Sequence, residues 1–147
     1  MDSKVSGERI LALDVGERRI GVAVSDPTGL LATPLQAIDR TRAPSAVTEI
    51  VRLAEEYGAC EIVVGLPTTL SGRAGTQVQR TKRFVDALAD QTSVPVVLRD
   101  ERYTSVQAER LLREAGRQPS RDKGRVDSAA AALILQSHLD SRRTGTS

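Results

Sequence analysis

Cysteine occurs once in this chain of 147 residues, at Cys60; tryptophan is absent, His138 is the one histidine, and Tyr57, Phe84 and Tyr103 are the whole aromatic set. One cysteine excludes an internal disulfide and fits a reducing compartment, so a cytoplasmic location is expected, with Cys60 read as a small buried residue ahead of a strand. With no second histidine and no nucleophile-base pairing in view, covalent catalysis by serine or cysteine has little support, and His138 is expected to be exposed near a helix end. Three aromatics are too few for a protein that reads single strands by stacking bases on aromatic platforms. No apolar run approaches the roughly 20 residues that span a bilayer, and nothing at the N-terminus has the form of a secretory signal, so no membrane partner is expected.

Arginine, by contrast, is plentiful: 18 of the 21 basic residues are arginines, although the net charge is only +2. Arginine suits bidentate phosphate contact. Arg73, Arg80, Lys82 and Arg83 form one cluster, and Arg117, Arg121, Lys123 and Arg125 another, offset only by Asp122. Each cluster reads equally as a solvated face or as a phosphate contact. The length predicts one compact domain over 1–147, with a core of about 8–140 and short polar tails.

Two β-rich runs, 9–15 and 19–25, are separated by "GER", which predicts a hairpin with Gly16 supplying an unusual backbone angle. "LATPLQAI", 31–38, reads as a third strand, and Pro34 gives it an edge position. Val47, Ile50, Val51, Ala54 and Tyr57 form one helical stripe, closed by Gly58. "EIVVG", 61–65, reads as a buried parallel strand. A second helix carries Val78, Thr81, Phe84, Val85 and Leu88, with Thr76 as its cap; the next strand is 94–99. A third helix carries Val106, Ala108, Leu111, Leu112 and Ala115. A basic loop, 117–125, then leads into an Ala-rich fourth helix from about Val126 to Leu139. Three opening strands suit an antiparallel meander and the later crossovers require parallel strands, so the sheet is expected to be mixed.

Asp14 stands inside the run Ile10, Leu11, Ala12, Leu13 and Val15, where an unpaired carboxylate costs several kcal/mol. Glu101 follows the last strand, and Asp127 opens the fourth helix on the stripe of Ala130, Ala131 and Ile134. If the first, fourth and fifth strands run parallel, Asp14 and Glu101 lie on one sheet edge, where open α/β sheets build their sites. Three converging carboxylates repel unless a cation lies among them, and oxygen ligands without thiolate or imidazole select Mg²⁺ or Mn²⁺, ions able to assist phosphodiester hydrolysis. Taken singly, Asp14 also reads as a hairpin residue, Glu101 as a surface residue and Asp127 as a charge favoured by the helix dipole.

"LDVGERRIGVAVSD", "IVVGLP", "DERYTS" and "VDSAAAALILQ" resemble, in order, the four signature blocks of the YqgF/RuvX family, nucleases of the RNase H-like superfamily linked to Holliday junction resolution and to pre-16S rRNA processing. The resemblance implies an α/β RNase H-like fold, a mixed five-stranded sheet of order 3-2-1-4-5 with helices on both faces. It also implies an acidic metal-binding set of Asp14, Glu101 and Asp127. Arg19, Gly65, Pro67, Gly72 and Gly75 match the family pattern, whereas Thr69, Ser71 and Ala74 depart from it in the loop after "GLP". The resulting expectation is a divalent-metal nuclease that processes the 5′ end of pre-16S rRNA. Structured RNA is then the expected partner, with branched DNA as the alternative substrate and a non-catalytic nucleic-acid binder as the further alternative. Arg19, Arg73, Arg121, Lys123 and Arg125 are the expected nucleic-acid contacts. "LDVGERRIGVAVSD" also resembles the phosphate-binding hairpin of sugar kinases and actin-like ATPases, which clamp a nucleotide between two such domains, and this length supplies one. The sequence leaves the oligomeric state, monomer or dimer, open, with no helix face that obviously supplies a stable dimer.

Overall fold

The computed structural model describes residues 9–41, 45–66, 74–100 and 128–143. Strands β1 (Arg9–Val15) and β2 (Arg19–Ser25) form the expected hairpin and pair antiparallel, with Leu13 opposite Val22 and Asp14 opposite Gly21. The expected third strand is instead two short pieces, β3 (Ala32–Pro34) and β4 (Ile38–Asp39), which both pair with β2. Pro34 lies on an edge strand, where its missing N–H is tolerated. β5 (Ala59–Leu66) and β6 (Val96–Asp100) run parallel to β1, which gives the order β3-β2-β1-β5-β6 with β4 beside β2. The mixed α/β sheet is therefore as expected, with six strands among the described residues because the third is split.

Helices cover both faces. α1 (Ala46–Tyr57) begins at Ser45, whose hydroxyl accepts from the Thr48 N–H, and ends at Gly58, whose left-handed φ of 65° closes it. α2 (Ala74–Gln91) starts ahead of the expected cap, so Thr76 lies inside the helix and is exposed. These two helices share a core with Leu11, Leu13, Ile20, Val22, Ile62 and Val64. α3 (Ala129–Arg143) covers the other face, where Ala131, Ala132, Ile134, Leu135 and Leu139 meet Ile10, Ala12, Ala23 and Val63. Alanine on both sides of that contact lets the helix axis approach the sheet closely. The expected helix bearing Val106, Ala108, Leu111, Leu112 and Ala115 lies outside the described residues.

Two local expectations are corrected. Cys60 is exposed because it lies at the register shift of β5 against β1, between Ala59, which pairs with Arg9, and Glu61, which pairs with Ile10. Gly16 does not have positive φ; Gly29 and Gly58 are the glycines that do among the described residues. Its requirement is space: the turn folds back so tightly that a Cβ on Gly16 would lie 2.6 Å from the Arg19 carbonyl oxygen. The Gly16 N–H donates to that same oxygen at 2.9 Å. Gly16→Ala is accordingly expected to cost about 1–3 kcal/mol, the range typical of overpacking. Chemical denaturation should show a lower midpoint with an unchanged slope.

Candidate active site

Side chains alternate along β1, so Leu11, Leu13 and Val15 face α1 and α2 while Ile10, Ala12 and Asp14 face α3. The same alternation places Gly21 of β2 on the face of Asp14, directly opposite it. On the other flank, Leu13 pairs with Val64, which puts Gly65 one residue further along beside Asp14. Gly65 in turn pairs with Arg99. Across β2, β1, β5 and β6 this level of the face therefore reads Gly21, Asp14, Gly65, Arg99. Neither flanking strand places a side chain beside the carboxylate.

Asp14 is partly buried, and desolvation raises its pKa above the ordinary carboxylate value. Among the described residues no hydrogen bond or ion pair reaches it. Asp26, at the far end of the same hairpin, shows the opposite case. The Leu31 N–H is the main cause that holds its carboxyl well below the usual range, helped by the Thr28 hydroxyl and the Leu30 and Thr28 amides.

Two groups fix the approach of α3 to this level. Ser128, fully buried, accepts the first helical bond from the Ala132 N–H and uses its hydroxyl to accept from the Val22 N–H at 2.9 Å. That amide would otherwise be bare, because it falls in the gap between β3 and β4 on the outer side of β2. Further along, His138 is not exposed as expected: its side chain is 12% accessible, with Nε2 3.1 Å from Glu61 Oε1 and Nδ1 3.4 Å from an Arg99 guanidinium nitrogen. Arg142 lies 3.5 Å from the same Glu61 oxygen, so the cluster ties α3 to β5 and β6.

Of the expected site residues, Asp14 and Arg19 are described. Arg19 opens β2, is exposed, and shares the Asp14 face with Gly21. Glu101, Asp127, Arg73, Arg121, Lys123 and Arg125 lie outside the described residues, as do Pro67 and Gly72. Among the described residues no three potential metal ligands cluster. Gly21, Ser128 and Arg99 were not singled out from sequence; the signal for Gly21 was its place in "RRIGVAV", and for Ser128 and Arg99 there was none, since their partners are remote in sequence.

The chain matches the family described as RuvX, Holliday junction resolvase, over residues 8–141. A Chloroflexus aurantiacus protein named "Putative pre-16S rRNA nuclease" is 49% identical over 135 residues, covering 92% of this chain and 88% of that protein. A Mycobacterium tuberculosis protein of the same name is 47% identical over 135 residues, 91% of this chain and 79% of that one. Among solved structures, T. thermophilus RuvC in complex with a Holliday junction substrate aligns with a TM-score of 0.57 at 16% identity, covering 95% of this chain and 97% of that chain. At that identity the likeness is one of fold, the RNase H-like fold.

Two stability measurements follow from this geometry. A carboxyl whose folded pKa is raised favours folding while protonated and opposes it once ionised. The cost of Asp14 therefore appears as pH rises from the unfolded pKa through the folded one. Without divalent ions, Asp14→Asn should unfold at or above the wild-type temperature at pH 7, and the difference should shrink toward acid. Ser128→Ala strands a buried amide on β2 and should cost about 1–3 kcal/mol by chemical denaturation.

Proposed function

This chain belongs to the RuvX family, and from that premise we propose that it is a nuclease hydrolysing phosphodiester bonds at the 5′ end of the small-subunit rRNA precursor, with Asp14, Glu101 and Asp127 as its acidic set. The observation that carries the reading is the Asp14 carboxylate itself: desolvated, without a partner among the described residues, and flanked by glycine on both neighbouring strands. A group in that state calls for a cation. The donor set is all carboxylate, which fits Mg²⁺ or Mn²⁺. When bound, such ions stabilise the attacking and leaving oxygens of a phosphodiester displacement.

The described residues support a common location for the three acids. β6 runs parallel to β5 and ends at Asp100, beside Leu66, at the edge that Asp14 occupies, and Glu101 is the next residue in sequence. Asp127 precedes Ser128, which is bound to Val22, the neighbour of the glycine opposite Asp14. The chain's own residues then divide the work. Asp14, Glu101 and Asp127 would hold the ion, and Arg19, with Arg73, Arg121, Lys123 and Arg125, would hold and orient the backbone phosphates.

Precursor RNA is favoured over a four-way junction. Relatives at 47–49% identity carry the rRNA nuclease name. Symmetric junction resolution needs two sites in a stable two-fold dimer. Among the described residues the exposed large hydrophobics are Leu30 and Leu31, at the far edge, and Leu98 on β6, which form no common stripe. One site with flanking arginines suffices to cut a structured RNA recognised by shape and backbone. The work would then be done where ribosomes are assembled, in the cytoplasm.

In a paired assay with Mg²⁺ or Mn²⁺, the wild type should cut a pre-16S fragment, and Asp14→Asn should lower the rate by more than about 100-fold, beyond what loss of an outer-shell partner does at a metal site. Chelation should stop the wild type. Paired nicks in a four-way junction by a stable dimer, with the precursor uncut, would replace this reading by resolution. Binding without cleavage of either substrate would leave a non-catalytic binder.

A further inference from the structure

On the α1/α2 side of the sheet, at the same edge as Asp14, lies a cleft of about 620 Å³ between the β1–β2 turn and the two helices. Glu17 comes from the turn, Arg40 from the segment after β4, Ser45 from the start of α1, and Arg80, Arg83 and Phe84 from α2. Three arginines and one glutamate thus line the cleft, and among the described residues none of the three arginines forms an ion pair. Arg40 is already held in place: it donates to the Gly16 carbonyl at 2.9 Å, and its guanidinium lies over the Phe84 ring at 5.4 Å. The Ser45 hydroxyl is committed to the Thr48 N–H, so the charge of the cleft comes from the arginines.

We propose that this cleft is a backbone-phosphate site that takes the continuation of the nucleic-acid strand whose scissile bond lies at Asp14. The inference rests on the nuclease reading for its ligand and adds a second contact region to it. Size and charge call for more than one phosphate. Recognition of a base is disfavoured because the cleft's one aromatic face, Phe84, is already covered by Arg40. Glu17 is three residues beyond Asp14, a Cα separation of at most about 11 Å, which a strand covers in a few nucleotides. Asp14 faces α3 and the cleft lies on the opposite face, so the strand would cross the sheet edge over the turn at 16–18.

The test uses Arg80→Ala with Arg83→Ala, leaving the structurally engaged Arg40 in place, and the corresponding double lysine variant. Affinity for a single-stranded RNA long enough to span both regions is measured by fluorescence anisotropy in EDTA across a range of salt, with thermal unfolding as the control for folding. Loss of two phosphate contacts should make the slope of log K against log salt shallower by about 1.4. The lysine pair should restore the slope, since point charges suffice for counterion release. A wild-type slope in the alanine pair overturns the proposal, whatever the wild type cleaves. Inorganic phosphate binding that depends on the pair while the RNA slope does not would also overturn it, marking a small-anion site. A shallower slope in a protein that cleaves nothing would sustain the cleft and defeat the nuclease reading.

Discussion

Strand β1 is hydrogen-bonded on both edges, antiparallel to β2 and parallel to β5, and is covered on both faces. A strand held in four directions has no freedom to rotate or slip, because a one-residue shift would exchange Leu11 and Leu13 for Ala12 and Asp14 throughout. The position of Asp14 is therefore dictated by the burial of its neighbours. Its desolvation follows from the same packing: the carboxylate is the first polar position after the buried run Ile10 to Leu13, and the pairing on both edges keeps the strand from rotating it outward.

The two faces of the sheet differ in kind. Towards α1 and α2, large side chains fill the space, with Leu11, Leu13, Ile50, Ile62 and Leu88 all fully buried. Towards α3, alanines face alanines, and position along the helix is set by polar anchors at Ser128 and at the Glu61–His138–Arg99 cluster. Small residues give closeness but little registration, since a smooth surface permits sliding. Directional bonds at the start and in the second half of the helix supply the registration. The start of α3, next in sequence to Asp127, is thereby fixed against the strand that faces Asp14.

The elements legible in the sequence were those decided locally. β1 and β2 have the bounds their composition indicated, α1 ends at Gly58 because that position requires a left-handed residue, and Pro34 marks an edge. The four motif blocks identified the family. What escaped were features decided by residues distant in sequence. The third strand splits where Val22 turns its amide to Ser128 rather than to a neighbouring strand, and His138 is enclosed because Glu61 and Arg99 arrive from two other strands. At Gly16 the sequence shows that the turn is tight without showing which carbonyl folds back against it. For the site, the location of Asp14 was legible from its place in an apolar run, whereas its flanking glycines emerge only from strand register.

The exposure of Cys60 has a practical side. It is the chain's one thiol, and it lies near the start of β5, five residues before Gly65, or about 16 Å along the strand from the level of Asp14. A fluorophore or spin label attached there would be singly placed by chemistry alone, on sheet backbone, at the end of β5 away from the level of Asp14. Distances from that one point to a labelled nucleic acid would report how a strand lies along the protein, with the label remote from the surface proposed to bind it.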